Sequence, residues 1–432
     1  MKGVLKRIFD ENIDSFLESP ESKDLHKRSH IITWIKRFIH CGTLNLGVAK
    51  YRCPCGKHNV TIPIPCKTRL CGKCSWAYRL KQREKIQHKA LPCPHYFFTF
   101  TIPHLLHVLF HGNRTVFLTA YSQTITSTFM AYTKQKGHGV TPGIISIPHT
   151  FGSMLQLHIH FHVLVTCGGI HPKTGIWKDI NHFPIAYLKK VFRAKFLNKL
   201  RALHRNNKFS FSDKALNDYC YFNAILKKSF SQYVCWHGHI STGKKKQKYD
   251  PMSDGNGQVA STMISYSLRY LCRLPISEHN IVDYKNGIVY WYPKKSKYES
   301  GIQHRRLNLK KTPVHKFMAL LIQHVPDKRE KTVYYAGLYS PHETSKALHE
   351  KAITHFNKRC HIRSLQKKGQ PHLMTWGEMR KWHSKRAPPV DPSICPSCNK
   401  KMIFLRRCYF SMDFLKKHTI VNNQIVPLKT TT

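Results

Sequence analysis

The sequence predicts a protein of mixed helices and strands, because both helix-like and strand-like segments occur along its 432 residues. Helical spacing is clear among the apolar residues Ile31, Ile32, Ile35, Phe38 and Ile39. The run of β-favouring residues from Tyr96 to Ile102 instead predicts a strand. An apolar content of 41%, with 12% aromatic residues, is sufficient for packed cores.

The remaining elements follow in chain order. Two strands are predicted within 144–166 around Gly152, closed by a turn at Gly168-Gly169, and a hairpin within 281–292 turns at Asn286-Gly287. The periodicity also predicts helices at Ser75–Lys89, Arg114–Lys134, Tyr187–His204, Gln258–Arg273 and Val314–His324.

The charge balance points to a polyanionic partner. Lys and Arg number 71 against 22 Asp and Glu, a net charge of +49 spread along the chain. Such an excess repels itself unless nucleic acid neutralises it. A membrane surface is the alternative, but the chain contains neither a spanning run of about 20 apolar residues nor a signal-peptide core. We therefore expect a cytoplasmic protein that binds nucleic acid.

Cysteines are concentrated in a short stretch near the amino terminus. In a cytosolic chain they indicate metal binding more than disulfides, and two close thiolate pairs joined by a loop can surround one zinc ion. We predict the ligands Cys53, Cys55, Cys71 and Cys74, with Cys66 and His58 as substitutes because the first pair is tighter than C-x-x-C. Buried free cysteines are the alternative.

A second cysteine pair, Cys395 and Cys398, forms half of a metal site in the sequence. His383 or Cys408 could complete it.

Three histidines alternate with apolar residues at His158, His160 and His162. On a strand, residues two apart share a face at roughly 6–7 Å, so these imidazoles line one side and could chelate a divalent ion. A histidine-rich core strand is the alternative, although buried imidazoles cost desolvation unless they are bonded.

Tyr266 and Tyr270 stand four residues apart on a predicted helix, so both phenols project from one face. On spacing alone, packing is the ordinary explanation.

Together these segments resemble the two-tyrosine HUH transposases of the insertion-sequence-91 family, which are rolling-circle insertion-sequence transposases. The cysteine-rich stretch from Tyr51 to Cys74 is similar to the family's zinc-binding domain. The histidine strand is preceded by His149-Thr150-Phe151-Gly152 and followed by paired glycines, as in the family, and the tyrosine helix leads into Pro275-Ile276. The shortened first cysteine pair departs from the family pattern, as does Ile159, where the family often has proline.

The resemblance implies an α+β fold, with an HUH-type antiparallel sheet and packed helices, an amino-terminal Cys-rich zinc-binding module and a helical, loop-rich carboxy-terminal region. It also implies a bacterial, nucleoid-associated protein. The implied domains are 1–90 with the zinc-binding module, 91–300 with the catalytic sheet, a basic helical region at 301–385 and the cysteine-pair segment at 386–432.

It also implies a reaction. His160 and His162, with His158 or an unidentified third ligand, would hold Mg²⁺ or Mn²⁺, and Tyr266 and Tyr270 would attack single-stranded DNA at the element ends through a 5′-phosphotyrosine intermediate. DNA contacts are expected from the basic residues Arg69, Lys73, Arg79, Arg269 and Arg273.

Two other functions fit the same residues. A replication initiator or relaxase would use the same nicking chemistry, but the Cys-rich amino terminus disfavours it. A non-catalytic zinc-containing nucleic-acid binder, such as a decayed element copy, is disfavoured by the retained tyrosines and histidines.

Overall fold

A computed structural model describes residues 3–23, 29–135, 139–211, 213–231, 274–293, 308–361, 395, 397–398, 400–421 and 424–427. Its α-helices are α1 (Val4–Glu18), α2 (Ser29–Ile39), α3 (Gly72–Lys89), α4 (Arg114–Gln135), α5 (Ile185–Arg205), α6 (Tyr219–Ser231), α7 (Val314–Ile322), α8 (Glu343–His361) and α9 (Met412–Lys417). Its strands are β1 (Val48–Arg52), β2 (Asn59–Pro63), β3 (His95–Thr101), β4 (Thr141–Phe151), β5 (Leu157–Ile170), β6 (Trp177–Asp179), β7 (Ile281–Lys285), β8 (Ile288–Trp291), β9 (Lys310–Pro313), β10 (Tyr334–Gly337), β11 (Ile403–Cys408), β12 (His418–Val421) and β13 (Gln424–Pro427).

The chain forms two compact units, each assembled from separate stretches of sequence. The first draws on Met1–Tyr78, Ile276–Val325 and Pro371–Thr432, and the second on Arg79–Pro275 and Pro326–Gln370. The fold is thus a mixture of helices and antiparallel sheets, as predicted.

The second unit is built on one antiparallel sheet. Its strand order is β10-β4-β5-β3, and β6 pairs with the end of β5. Ile159, Phe161 and Val163 of β5 are fully buried in the apolar core, together with residues of α4 and α5. Because side chains alternate along a strand, the histidines of β5 lie on the opposite face.

The helices predicted for this unit at 114–134 and 187–204 are confirmed as α4 and α5, within a residue or two at each end. Leu188, Phe192, Phe196 and Leu200 are buried on α5, and their spacing of four residues places them on one face. This face of α5 packs against the apolar side of the sheet in a shared core.

The prediction of a turn at Gly168-Gly169 is wrong, because both glycines lie within β5 and pair with neighbouring strands. A Cβ on Gly169 would stand 2.4 Å from the carbonyl oxygen of Thr141, and one on Gly168 2.6 Å from that of Lys178. The glycines therefore allow adjacent backbones to approach closely. From the sequence alone, glycines in this role cannot be distinguished from glycines in a turn.

A buried ion pair also stabilises the second unit. Arg114 donates from Nε and Nη2 to both carboxylate oxygens of Glu330, at 3.0 and 3.2 Å. The backbone N–H of Asp327 donates to the same carboxylate, and the Arg114 guanidinium lies 4.6 Å from the ring centroid of Phe110. The two hydrogen bonds between the guanidinium and the carboxylate offset the cost of burying both charges.

The first unit contains a three-stranded sheet in the order β11-β1-β2. Val48 pairs with Cys408 and Arg52 with Ile403, so a strand near the carboxy terminus completes a sheet begun near the amino terminus. A second sheet, β7-β8-β9, contains the predicted hairpin. Its turn is confirmed at Asn286 and Gly287, whose φ angles of 50° and 69° match the left-handed turn that Asn-Gly favours.

No helix within the described residues is long and apolar enough to cross a membrane. The helix predicted at 258–273 lies outside the described residues.

Candidate active site and metal clusters

Three imidazoles converge on the face of the second unit's sheet that lies opposite the α4–α5 core. His160 and His162 project from β5, and the pairing of β4 with β5 places His149 directly opposite His160. One ring nitrogen from each of the three lies within 4.8 Å of the others. The His149 ring centroid is 4.6 Å from that of His162 and 5.2 Å from that of His160. This arrangement offers three nitrogen ligands to a single ion.

His158, the predicted third ligand, does not belong to this group. Its ring is 4.9 Å from that of His160, so the three histidines of β5 do share one face as predicted. However, His149 on the adjacent strand lies near both His160 and His162, at 5.2 and 4.6 Å, whereas His158 is four positions along the same strand from His162. The segment His149-Thr150-Phe151-Gly152 was the sequence signal that could have pointed to His149 as the third member of the group.

Hydrogen bonds orient two of the three rings. His160 Nδ1 is 2.9 Å from the carbonyl oxygen of His158, so it donates a proton there and the ring's lone pair is on Nε2. His162 Nδ1 lies 3.3 Å from Thr99 Oγ1, and the His162 ring stacks on Phe97 at 5.4 Å. These contacts hold the rings in place before any ion binds.

More histidines flank the site at its His158 end. A short 3₁₀ segment, His104–Leu109, places the ring of His107 4.8 Å from that of His104 and 6.5 Å from that of His158. Burial, then the neighbouring His104, lowers the pKa of His107 to about 3, and the same two causes lower the pKa of His158. His107 and His158 are therefore neutral at physiological pH and add no positive charge beside the three converging imidazoles.

The first unit contains a cluster of four cysteines, Cys41, Cys66, Cys71 and Cys74. The sulfur of Cys41 is 3.6 Å from that of Cys74 and 3.7 Å from that of Cys71, and Cys66 lies 3.5 Å from Cys74. Four thiolates about 2.3 Å from one tetrahedral zinc stand roughly 3.8 Å apart. The cluster has the composition and the spacing of a structural zinc site.

Local structure explains how this cluster forms. Cys41 follows the end of α2, and Cys74 lies in the first turn of α3. The backbone N–H of Cys66 donates to the sulfur of Cys41 at 3.5 Å, and that of Thr68 donates to the sulfur of Cys66 at 3.5 Å. Such N–H bonds stabilise thiolate charge.

A second cluster joins Cys53 and Cys55 to Cys395 and Cys398. The structure does not bring together the four cysteines predicted as one site, Cys53, Cys55, Cys71 and Cys74, because the two pairs belong to different clusters. Cys66, the predicted substitute, joins Cys71 and Cys74. His58 joins neither cluster, and its Nε2 lies 2.5 Å from Ser397 Oγ.

Two protein-family models match the chain. Residues 8–102 match the model of a transposase zinc-binding domain, and residues 143–347 match that of a putative transposase. The matched regions contain the cysteine-rich stretch and the histidine strand. The chain belongs to the insertion-sequence-91 family of transposases.

Curated relatives agree with this family. The transposase for insertion sequence element IS801 of Pseudomonas savastanoi pv. phaseolicola is 26% identical over 312 residues, which cover 70% of this chain and 68% of the relative. The putative transposase y4qJ of Sinorhizobium fredii (strain NBRC 101917 / NGR234) is 25% identical over 256 residues, which cover 58% of this chain and 60% of the relative. No solved structure matches the chain.

The matched zinc-binding domain contains the cluster of Cys41, Cys66, Cys71 and Cys74, which supports a structural zinc in this transposase. Of the predicted DNA contacts near the cysteines, Lys73 is exposed, and Arg69 and Arg79 are partly buried. The remaining predicted site residues lie outside the described residues: Tyr266, Tyr270, Arg269, Arg273 and His383.

Proposed function

We propose that this transposase nicks and rejoins single-stranded DNA through a tyrosine nucleophile that acts beside a histidine-held divalent ion, in rolling-circle transposition. The observation that supports this most directly is the convergence of His149, His160 and His162 on one sheet face. Three nitrogen ligands on a strand pair leave the remaining positions around an ion open to a phosphate. An HUH-type sheet is part of this proposal.

The donor set bears on which ion is used. Within the described residues the group consists of imidazoles, with no carboxylate among its members. Mg²⁺ prefers oxygen ligands, whereas imidazole suits the later divalent metals better. Of Mg²⁺ and Mn²⁺, we therefore expect Mn²⁺ to bind more tightly here. A bound ion would neutralise charge on the scissile phosphate and help a phenolate to form.

Tyr266 and Tyr270 are the proposed nucleophiles, on the strength of the family resemblance. A phenolate oxygen attacks phosphorus, a Tyr O–P bond forms, and the bond from phosphorus to the 3′-oxygen breaks. The departing 3′-oxygen takes up a proton and becomes a free hydroxyl. The phosphotyrosine conserves the bond energy, so the reverse attack by a 3′-hydroxyl rejoins DNA without ATP. A second tyrosine allows a second strand to be cut while the first stays attached.

The substrate is proposed to be the single-stranded ends of the element. The net charge of +49 provides a backbone-directed attraction, to which Arg69, Lys73 and Arg79 would contribute from the zinc-binding module. We propose Cys41, Cys66, Cys71 and Cys74 as the ligands of that module's structural zinc. With DNA as its substrate, the protein would act at the bacterial nucleoid.

Formation of a covalent protein–DNA adduct tests the nucleophile. Purified protein is incubated with a strand that carries one end of its own element, labelled at its 3′ end or internally on the 3′ side of the nick, plus Mn²⁺, and adducts are resolved on a denaturing gel. Tyr266→Phe with Tyr270→Phe should abolish the adduct. Tyr221→Phe, which changes an exposed tyrosine on α6, is the matched control and should leave the yield unchanged.

An undiminished adduct in the double variant would contradict the tyrosine assignment. No adduct from the wild-type protein, despite tight DNA binding, would favour the non-catalytic binder. Excision of a segment flanked by both element ends separates a transposase from an initiator or relaxase, since an initiator would nick one site without joining two ends.

A further inference from the structure

The second cysteine cluster is made of residues from opposite ends of the chain. Cys53 and Cys55 follow β1, whereas Cys395 and Cys398 precede β11. The sulfur of Cys53 is 2.9 Å from that of Cys55 and 3.3 Å from that of Cys398, and Cys55 lies 3.9 Å from Cys395. All are longer than the roughly 2.05 Å of a disulfide. Four thiols are thus gathered without covalent bonds.

Each pair sits on a backbone turn that closes on itself. The N–H of Cys53 donates to the carbonyl of His58 at 2.8 Å, and the N–H of Cys395 donates to that of Lys400 at 2.9 Å. Gly56 follows the first pair with a φ of 74°, in the left-handed region that glycine tolerates. Two such turns, each presenting a close pair of sulfurs, provide opposite edges of a tetrahedron.

The surrounding structure joins the same two segments. β11 pairs with β1 immediately beside the cluster, where Arg52 lies opposite Ile403. Cys53 and Cys395 are 2% and 1% exposed, and Met402 packs against them. Burying sulfurs this closely is favourable when an ion neutralises their combined charge.

We propose that Cys53, Cys55, Cys395 and Cys398 form a second structural zinc site, which fastens the carboxy-terminal segment to the amino-terminal module. The match to the family's zinc-binding domain ends at residue 102 of this chain, so Cys395 and Cys398 lie far outside it. A set of four thiolates selects zinc over Mg²⁺ or Mn²⁺. The site explains why a C-x-C pair and a distant C-x-x-C pair occur in one chain: each is half of it.

Metal content tests this directly. Full-length protein should contain two zinc ions per chain by elemental analysis, after dialysis against metal-free buffer. Cys395→Ser with Cys398→Ser should contain one, and so should Cys55→Ser if loss of one thiolate releases the ion. Cys408→Ser is the matched control, because this cysteine lies in the same carboxy-terminal segment but in neither cluster, and it should retain two.

Limited trypsin digestion supplies a readout independent of metal counting. The carboxy-terminal segment should be released at least several-fold faster from the Cys395→Ser, Cys398→Ser double variant than from Cys408→Ser. Cys71→Ser with Cys74→Ser should lose the other zinc, leaving one that is still removed by the carboxy-terminal substitutions. One zinc in wild-type protein, or two zinc ions retained when Cys395 and Cys398 are both replaced, would overturn the proposal.

Discussion

Replacing His149 by Ala should remove DNA cleavage, whereas replacing His158 by Ala should barely affect it. The ring of His149 is one of the three that converge, and no backbone group can replace its nitrogen. His158 contributes its carbonyl oxygen, which accepts the Nδ1 proton of His160 at 2.9 Å, and alanine keeps that carbonyl. The two variants therefore separate a ligand from a neighbour on the same sheet face.

The size of the effect follows from the role of the ion. A metal that neutralises charge on a transferring phosphate contributes several kcal/mol to the transition state. At about 1.4 kcal/mol per tenfold in rate, a loss of roughly 3–5 kcal/mol slows cleavage by about 10² to 10⁴. His158→Ala removes no ligand, so its rate should stay within about threefold of wild type.

Cleavage rates are measured in single turnover with saturating DNA, over a range of Mn²⁺ concentrations, and thermal melts of each variant check folding. The His149 variant should need far more Mn²⁺ while retaining DNA affinity, since phosphate contacts elsewhere supply most of the binding. Equal losses in both variants would refute the assignment of His149 over His158. Loss of activity only in proportion to loss of folded protein would favour the histidine-rich core strand.

Four further predictions concern stability and binding. Glu330→Gln should destabilise the protein by about 3–5 kcal/mol in urea titration, because it leaves the buried guanidinium of Arg114 without its charge partner; Glu343→Gln, at an exposed pair, should leave the melting temperature unchanged. Burial lowers the pKa of His95 to about 4, so stability should be complete above pH 6.5 and fall by up to about 1.4 kcal/mol per pH unit as the pH drops towards 4; an equal fall in His95→Gln would contradict this. Tyr339 donates its hydroxyl to His95 Nε2 and accepts a backbone N–H, so Tyr339→Phe should cost about 1–3 kcal/mol. DNA affinity should fall by roughly three to five decades between 50 and 200 mM salt if six to ten phosphates are contacted, and a flat response would count against backbone-dominated binding.

Local patterns predicted most of the elements that surround the site. The helices at 114–135 and 185–205 were predictable because apolar residues recur with the helical period, and that period depends only on neighbours within a turn or two. The shared face of His158, His160 and His162 was predictable for the same reason, since alternation along a strand is a local property. The nucleic-acid partner and the family were likewise evident from charge and motifs.

What the sequence could not provide is which distant residues meet. His149 becomes a ligand candidate only because the register of β4 on β5 places it opposite His160, and a shift of one residue would turn it to the other face. Cys53 meets Cys395 because β11 returns to pair with β1, and nothing in the spacing of nearby cysteines encodes that return.

The sequence by itself determined the residue types, their local periodicity and hence the chemistry available: thiolates for zinc, imidazoles for a divalent ion, and positive charge for DNA. Tertiary structure alone decided how these side chains are grouped. The cysteines form two clusters instead of one, and His149 from β4, rather than His158 from β5, joins His160 and His162. The physical reason is that side-chain periodicity is set by a few adjacent residues. The register between strands, and the pairing of strands that are distant in the sequence, are instead set by the burial of whole apolar faces.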